Sequence, residues 1–238
     1  MSDQSASPNE LQQPPLSRTD WVIERIRRAI LFGDVRAGER LTSSAWSARL
    51  GVSPTPLREA FQRLAAEGFV DYDPHCGARV SALTLRDAHE IYQIRIMLEP
   101  LAVESSVARR DDRWLAELAD TYGKIDAFYA ASNTLEAGAV EAHREFHRVL
   151  RKGCESGWLL RLTDMLADQS TRMQYASFTP RGGKRAARQE HRHLFEAASA
   201  GDAARTAELT AAHLQRTLSA LQLDAAPVVS ESGADKRV

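Results

Sequence analysis

Hydrophobic positions follow no period over residues 1–17, where Ser, Pro, Gln and Asn dominate, and a disordered lead-in is expected there. From Thr19 onward the pattern changes. Val22, Ile23, Ile26 and Ile30 recur at helical spacing, with Arg25, Arg27 and Arg28 on the opposite side, which predicts an amphipathic helix. Gly33 closes it, and residues 36–41 read as a connecting turn. A second, short helix is expected from Ser43 or Ser44 to Gly51, followed by a tight turn through Val52 and Ser53. Ser53 suits the cap of a third helix, and Pro54 and Pro56 suit its first turn, where a missing amide proton costs little. Leu57, Phe61 and Leu64 form the inward stripe of that helix, while Thr55, Arg58 and Gln62 point elsewhere. Residues 69–73 and 78–81 read as two strands around a turn at 74–77. Three helices followed by a β-hairpin make a winged helix-turn-helix over residues 18–82, whose third helix presents a short polar face suited to a major groove.

Beyond it the period is helical throughout. Thr84-Leu-Arg-Asp87 has the form of a capping box opening a long helix. Apolar stripes follow at Ile91, Ile94, Leu98 and Leu101, at Leu115, Leu118, Tyr122, Ile125 and Phe128, and onward to Leu221. Breaks fall near 110–112, 132–134, 153–157, 179–183 and 201–202, so about six helices are expected in an all-α bundle over 83–222, with a flexible tail at 223–238. The fold class is therefore mainly α.

Composition adds modest constraints. A chain of 238 residues, 43% hydrophobic and 26% charged, suits two globular domains. The polar N-terminus and the lack of any long apolar run point to a cytoplasmic protein without a membrane span. Cys76 and Cys154 fall in different expected domains and read as free thiols. The net charge of −1 does not announce a nucleic-acid binder, although residues 18–80 carry ten arginines against eight carboxylates.

The histidines are more informative. His143 and His147 lie four apart, on one helical face with Phe146 and Leu150. His191 lies ten residues before Gly201, and His213 eleven after Asp202, so in an antiparallel pair turning there they stand at nearly equal height. Four imidazoles can thus converge inside the bundle, and such a donor set suits zinc, nickel, copper or iron. A lone inward histidine is more often a hydrogen-bonded core residue, so the spacing leaves both readings open. His75 and His193 read as surface residues, and nothing ties His89 to the cluster.

Three stretches carry a resemblance: Gly-Asp-Val-Arg-Ala-Gly-Glu-Arg-Leu (33–41), Leu-Gly-Val-Ser-Pro-Thr-Pro-Leu-Arg-Glu-Ala (50–60) and Gly-Ala-Arg-Val (77–80). They resemble the DNA-binding domain of GntR-family regulators. The resemblance implies that Arg58 binds DNA and that Cys76 and Gly77, at the wing tip, reach toward the minor groove. Pro54 stands where the family often has a second arginine, which leaves more of the readout to Ser53, Thr55 and Arg58, with Gln62 a further candidate on the same helix. The stretches around Glu99, His147, His191 and His213 resemble the FCD sensor domain of FadR-type GntR regulators. Many such domains hold a divalent metal through Asp and three His; here His143 occupies the Asp position, which either favours zinc or nickel over manganese or magnesium or leaves three ligands, His147, His191 and His213. The resemblance also implies a small carboxylate effector, for which Arg95 is the candidate partner, its alternative being a bridge to Glu99 at i+4.

An effector-controlled operator-binding regulator is therefore expected, a repressor acting as a homodimer on two-fold related half-sites. Two alternatives compete. A metal-dependent helical-bundle enzyme is disfavoured because Glu145 is misplaced for a zincin motif, and Glu190-His-Arg-His193 lacks the second copy a di-iron bundle needs. A DNA-binding protein without effector is disfavoured because buried imidazoles without partners cost free energy.

Overall fold

A computed structural model describes residues 17–73, 77–130, 137–177 and 183–223. The expected lead-in and tail, apart from Ser17 and Leu223, lie outside the described residues, as do His75 and Cys76 of the wing tip.

The chain opens with α1 (Arg18–Leu31), started by the Ser17 side chain accepting from the Asp20 amide. Next come β1 (Arg40–Leu41), α2 (Ser43–Leu50) and α3 (Pro54–Ala66). Gly51 ends α2 in the left-handed region at φ 65°, where a side chain would strain the backbone, and this lets the chain turn sharply into α3. Ser53 occupies the N-cap position of α3, but its hydroxyl makes no cap hydrogen bond; Pro54 starts the helix by fixing φ instead. β2 (Val70–Asp73) and β3 (Gly77–Val80) form the hairpin. The sheet has a third strand that the sequence pattern did not reveal, in the order β1-β3-β2, with Arg40 opposite Arg79 and Leu41 opposite Ala78. Two residues are too few to show alternation, so β1 is visible only through its pairing. Leu57, Phe61 and Leu64 of α3 pack with Val22, Ile26 and Leu31 of α1 and with Phe69 and Val80 in one apolar core.

Six further helices follow among the described residues: α4 (Leu85–Ala108), α5 (Asp112–Ala130), α6 (Ala137–Lys152), α7 (Gly157–Ser177), α8 (Gly183–Ala200) and α9 (Ala203–Leu223). Thr84 and Asp87 form the reciprocal capping box that opens α4. α4 packs along α9, α7 and α6, and α5 packs on α6 and α8. The α4 stripe differs from the apolar pattern. Its buried positions include Tyr92, Arg95, Glu99 and Ser106, whereas Ile94, Met97 and Leu101 are exposed.

The two halves share contacts. Val140 of α6 is buried in the core built by α1 and α3. Arg28 of α1 donates from both Nη atoms to Glu141, each at 2.5 Å. On α7, Gln169 donates to the Glu67 carbonyl at 2.8 Å and Arg172 to the Ser81 carbonyl at 2.5 Å, gripping the α3–β2 turn and the segment between β3 and α4. Burial pushes the Arg172 guanidinium down to about 10.

Candidate metal centre and DNA interface

α3 turns Leu57, Ala60, Phe61 and Leu64 inward, so the helical period puts Ser53, Thr55, Arg58 and Gln62 on the solvent side, where all four are exposed. Neighbouring charges on α3 are engaged: Glu59 accepts from Thr19 at 2.8 Å, and Arg63 pairs with Asp20 at 2.7 Å. No intramolecular ion pair holds Arg58 among the described residues. Gly77, exposed with φ 86°, begins β3.

Inside the bundle, α6 contributes His143 and His147, α8 His191 and α9 His213, each offering a donor atom, with these atoms all within 4.8 Å of one another. His147, His191 and His213 are buried and His143 is half-buried. The Nε2 atoms of His147 and His191 are 3.2 Å apart. Two nitrogens on one tetrahedral zinc, at bond lengths of about 2.0–2.1 Å, stand at nearly that spacing.

Ring orientation is set from behind. His191 donates from Nδ1 to the Ala187 carbonyl, one turn back on α8, at 2.7 Å. His213 presents Nδ1 to a carboxylate oxygen of Glu190 at 2.9 Å. A carbonyl or carboxylate accepts only, so both rings carry their proton on Nδ1 and turn an Nε2 lone pair to the centre. Burial holds His143 and His147 well below the ordinary imidazole range, reinforced by the neighbouring histidines and Arg95. His191 is pushed down to about 3, again chiefly by burial. The inward Nε2 lone pairs of His191 and His213, with the ring nitrogens of His143 and His147 beside them, fit a divalent ion of the zinc or nickel type.

Around this ring, Tyr129 packs on His191 with ring centroids 5.6 Å apart, and burial pushes its phenol up. Arg95 is buried and bonds Glu99 from Nε at 2.5 Å, with its guanidinium 5.0 Å from the Tyr92 ring. The i+4 bridge is therefore present. Glu190, pinned between His213 and Arg216, has burial working against its charged form, but those two partners hold its carboxyl below the ordinary range. Sequence spacing brought out the four histidines but not the roles of Glu190, Tyr129, Gln169 and Arg172, which depend on contacts between helices distant in the chain. Glu145, set aside from the metal face by its position, pairs with Arg148 at 2.5 Å. His193 is exposed, and Cys154 is a buried free thiol.

Comparison with known families agrees with this architecture. The family model for bacterial regulatory proteins of the gntR family matches residues 18–80, and that for the FCD domain matches residues 90–216. The chain belongs to the GntR family. It is a transcriptional regulator with an FCD domain, not an enzyme. It is 28% identical to the HTH-type transcriptional repressor GlaR of Escherichia coli (strain K12) over 207 residues, covering 83% of this chain and 92% of GlaR. It is likewise 28% identical to the HTH-type transcriptional regulator BphR of Paraburkholderia xenovorans (strain LB400) over 214 residues, 87% of this chain and 86% of BphR. The fold is shared with E. coli McbR/YncC, with a TM-score of 0.76 and 22% identity over 88% of this chain and 99% of that one. No helix among the described residues is long and apolar enough to cross a membrane.

Proposed function

We propose that this GntR regulator is a cytoplasmic homodimeric repressor whose grip on operator DNA is controlled by a small carboxylate effector. On this reading residues 18–82 are the DNA-binding unit and 83–222 the sensor. In the sensor, His143, His147, His191 and His213 hold a divalent metal, zinc or nickel, which supplies a Lewis-acidic position for the effector. Arg95, buried near the histidines, is the candidate carboxylate partner after loosening from Glu99. Ser53, Thr55, Arg58 and Gln62 read the major groove, and the wing at Cys76 and Gly77 approaches the minor groove. The observation that carries this reading is the four-histidine cluster with the inward Nε2 of His191 and His213.

α6 offers the route between the halves. The helix that carries His143 and His147 also carries Val140, in the apolar core of α1 and α3, and Glu141, on Arg28. Repacking α6 around metal and effector would therefore move the unit that holds α3. An effector shifts the balance only by its preference for one of the two packings. Two exposed apolar stripes support the dimer: Ile94, Met97 and Leu101 on α4, and Trp158, Leu162 and Met165 on α7, which packs beside it. Surfaces of this kind mark protein contacts.

Native mass spectrometry of untagged protein with parallel elemental analysis tests the proposal. A dimer carrying one zinc or nickel per chain is expected, with the metal lost in His147→Ala and the dimer lost in Leu101→Glu. Protein that stays metal-free after incubation with both ions would sink the metal assignment, leaving the histidines as polar lining of the bundle.

A further inference from the structure

Glu190 belongs to the Glu-x-x-His stretch that fits no enzyme motif, and the DNA-binding reading gives it no task. It immediately precedes His191 on α8, so its side chain leaves the helix in a different direction and reaches α9 rather than the centre. There Oε2 accepts from His213 Nδ1 at 2.9 Å and Oε1 accepts from Arg216 Nε at 2.7 Å. The carboxylate is thus held at both oxygens. Among the described residues it is the one carboxylate with a hydrogen bond to a ring nitrogen of the four histidines.

Charge gives that contact its meaning. Four imidazoles bring no negative charge to a divalent ion, and the nearby Arg95 is matched by its own partner Glu99. A carboxylate behind a ligand histidine fixes its tautomer and raises the basicity of its far nitrogen. We infer that Glu190 is a positioning residue of the metal site: it holds His213 with Nε2 inward and supplies, one ring behind the donors, the negative charge that the donors lack. The inference rests on the metal assignment proposed above. It moves the anionic partner of the site from α6, where His143 stands, to α8.

The competing role is a plain tie between α8 and α9 through Arg216. Three variants separate the two: Glu190→Ala removes charge and hydrogen bond, Glu190→Gln keeps an acceptor oxygen without the charge, and Arg216→Ala breaks the interhelical pair but leaves Glu190 on His213. Zinc affinity is read by competition with a chromophoric chelator, the donor geometry by the visible absorption of the Co(II)-loaded full-length protein, and folding by the thermal melt of the metal-free form. Glu190→Ala should weaken zinc binding by about 10–100-fold and alter the Co(II) spectrum. Glu190→Gln should fall between it and wild type, and Arg216→Ala should keep wild-type affinity and spectrum. Wild-type protein that binds zinc, with both Glu190 variants matching its affinity and spectrum, would overturn this inference and leave the metal site standing. Wild-type protein that takes up neither zinc nor cobalt would overturn the metal assignment and this inference with it.

Discussion

The two halves of this regulator solve opposite problems with the same helical period. Over residues 17–73 and 77–82 every buried side chain is apolar, and the groups suited to DNA stand outside on α3. In the bundle the arrangement is inverted. Arg95, Glu99, Arg151, His147, His191, His213 and a set of threonines are buried, while Met97, Leu101 and Trp158 face outward. A surface that meets a polyanion needs only a rigid, dry support. If the bundle is a sensor as proposed, it has to surround its ligand, which puts polar groups inside, where each requires a partner to offset desolvation.

The two halves should differ most in how their cores fail. Phe61→Ala, at a fully enclosed position between α1, α3 and the sheet, should cost about 3–5 kcal/mol. Urea unfolding should show operator binding lost while the helical signal of the bundle persists, and full operator affinity in this variant would contradict the assignment of that core. A polar change in the bundle should match it in size. Glu99→Ala leaves the Arg95 guanidinium buried without its carboxylate, for about 3–5 kcal/mol, whereas Arg95→Met with Glu99→Leu should recover much of the loss. Denaturant midpoints of the single and double variants decide this, and equal losses in both would show that the pair is replaceable only by itself.

Acid sharpens the contrast. In chelator-treated protein His147 and His191 stay neutral because burial lowers their affinity for protons, His191 to about 3, while unfolded imidazoles take up protons near 6.5. The unfolded state then binds more protons, so stability present above pH 6.5 is lost as pH falls toward 3, at about 1.4 kcal/mol per pH unit for each such histidine. Denaturation series between pH 7 and 5 should show a shallower fall in His191→Asn than in wild type. The surface of α3 should respond least in stability and most in binding. Arg58→Ala should weaken operator binding by about 1–3 kcal/mol with an unchanged melting temperature. An electrophoretic shift indifferent to that substitution would remove Arg58 from the interface.

Much of this was legible in the chain. The spacing of Leu57, Phe61 and Leu64 oriented α3, Thr84 and Asp87 marked the start of α4, and the intervals around Gly201 put His191 and His213 level. These are local facts, because a helix repeats every 3.6 residues whatever it packs against. The apolar period of α4 was less reliable: Ile94 and Leu101 are exposed, and the buried side carries Arg95 and Glu99. Periodicity announces a helix and its faces, but it does not say which face meets a partner within the chain.

What the sequence by itself determined, then, is the series of helices, the hairpin, the polar face of α3 and the sharing of faces by the histidines. Only the tertiary structure decided that β1 joins the hairpin, that Val140 of α6 enters the core of α1 and α3, and that Glu190 stands behind His213 while Ala187 stands behind His191. Those contacts depend on the distance and rotation between helices far apart in the chain. A hydrogen bond is made or lost within a few tenths of an ångström, and no local period carries that information.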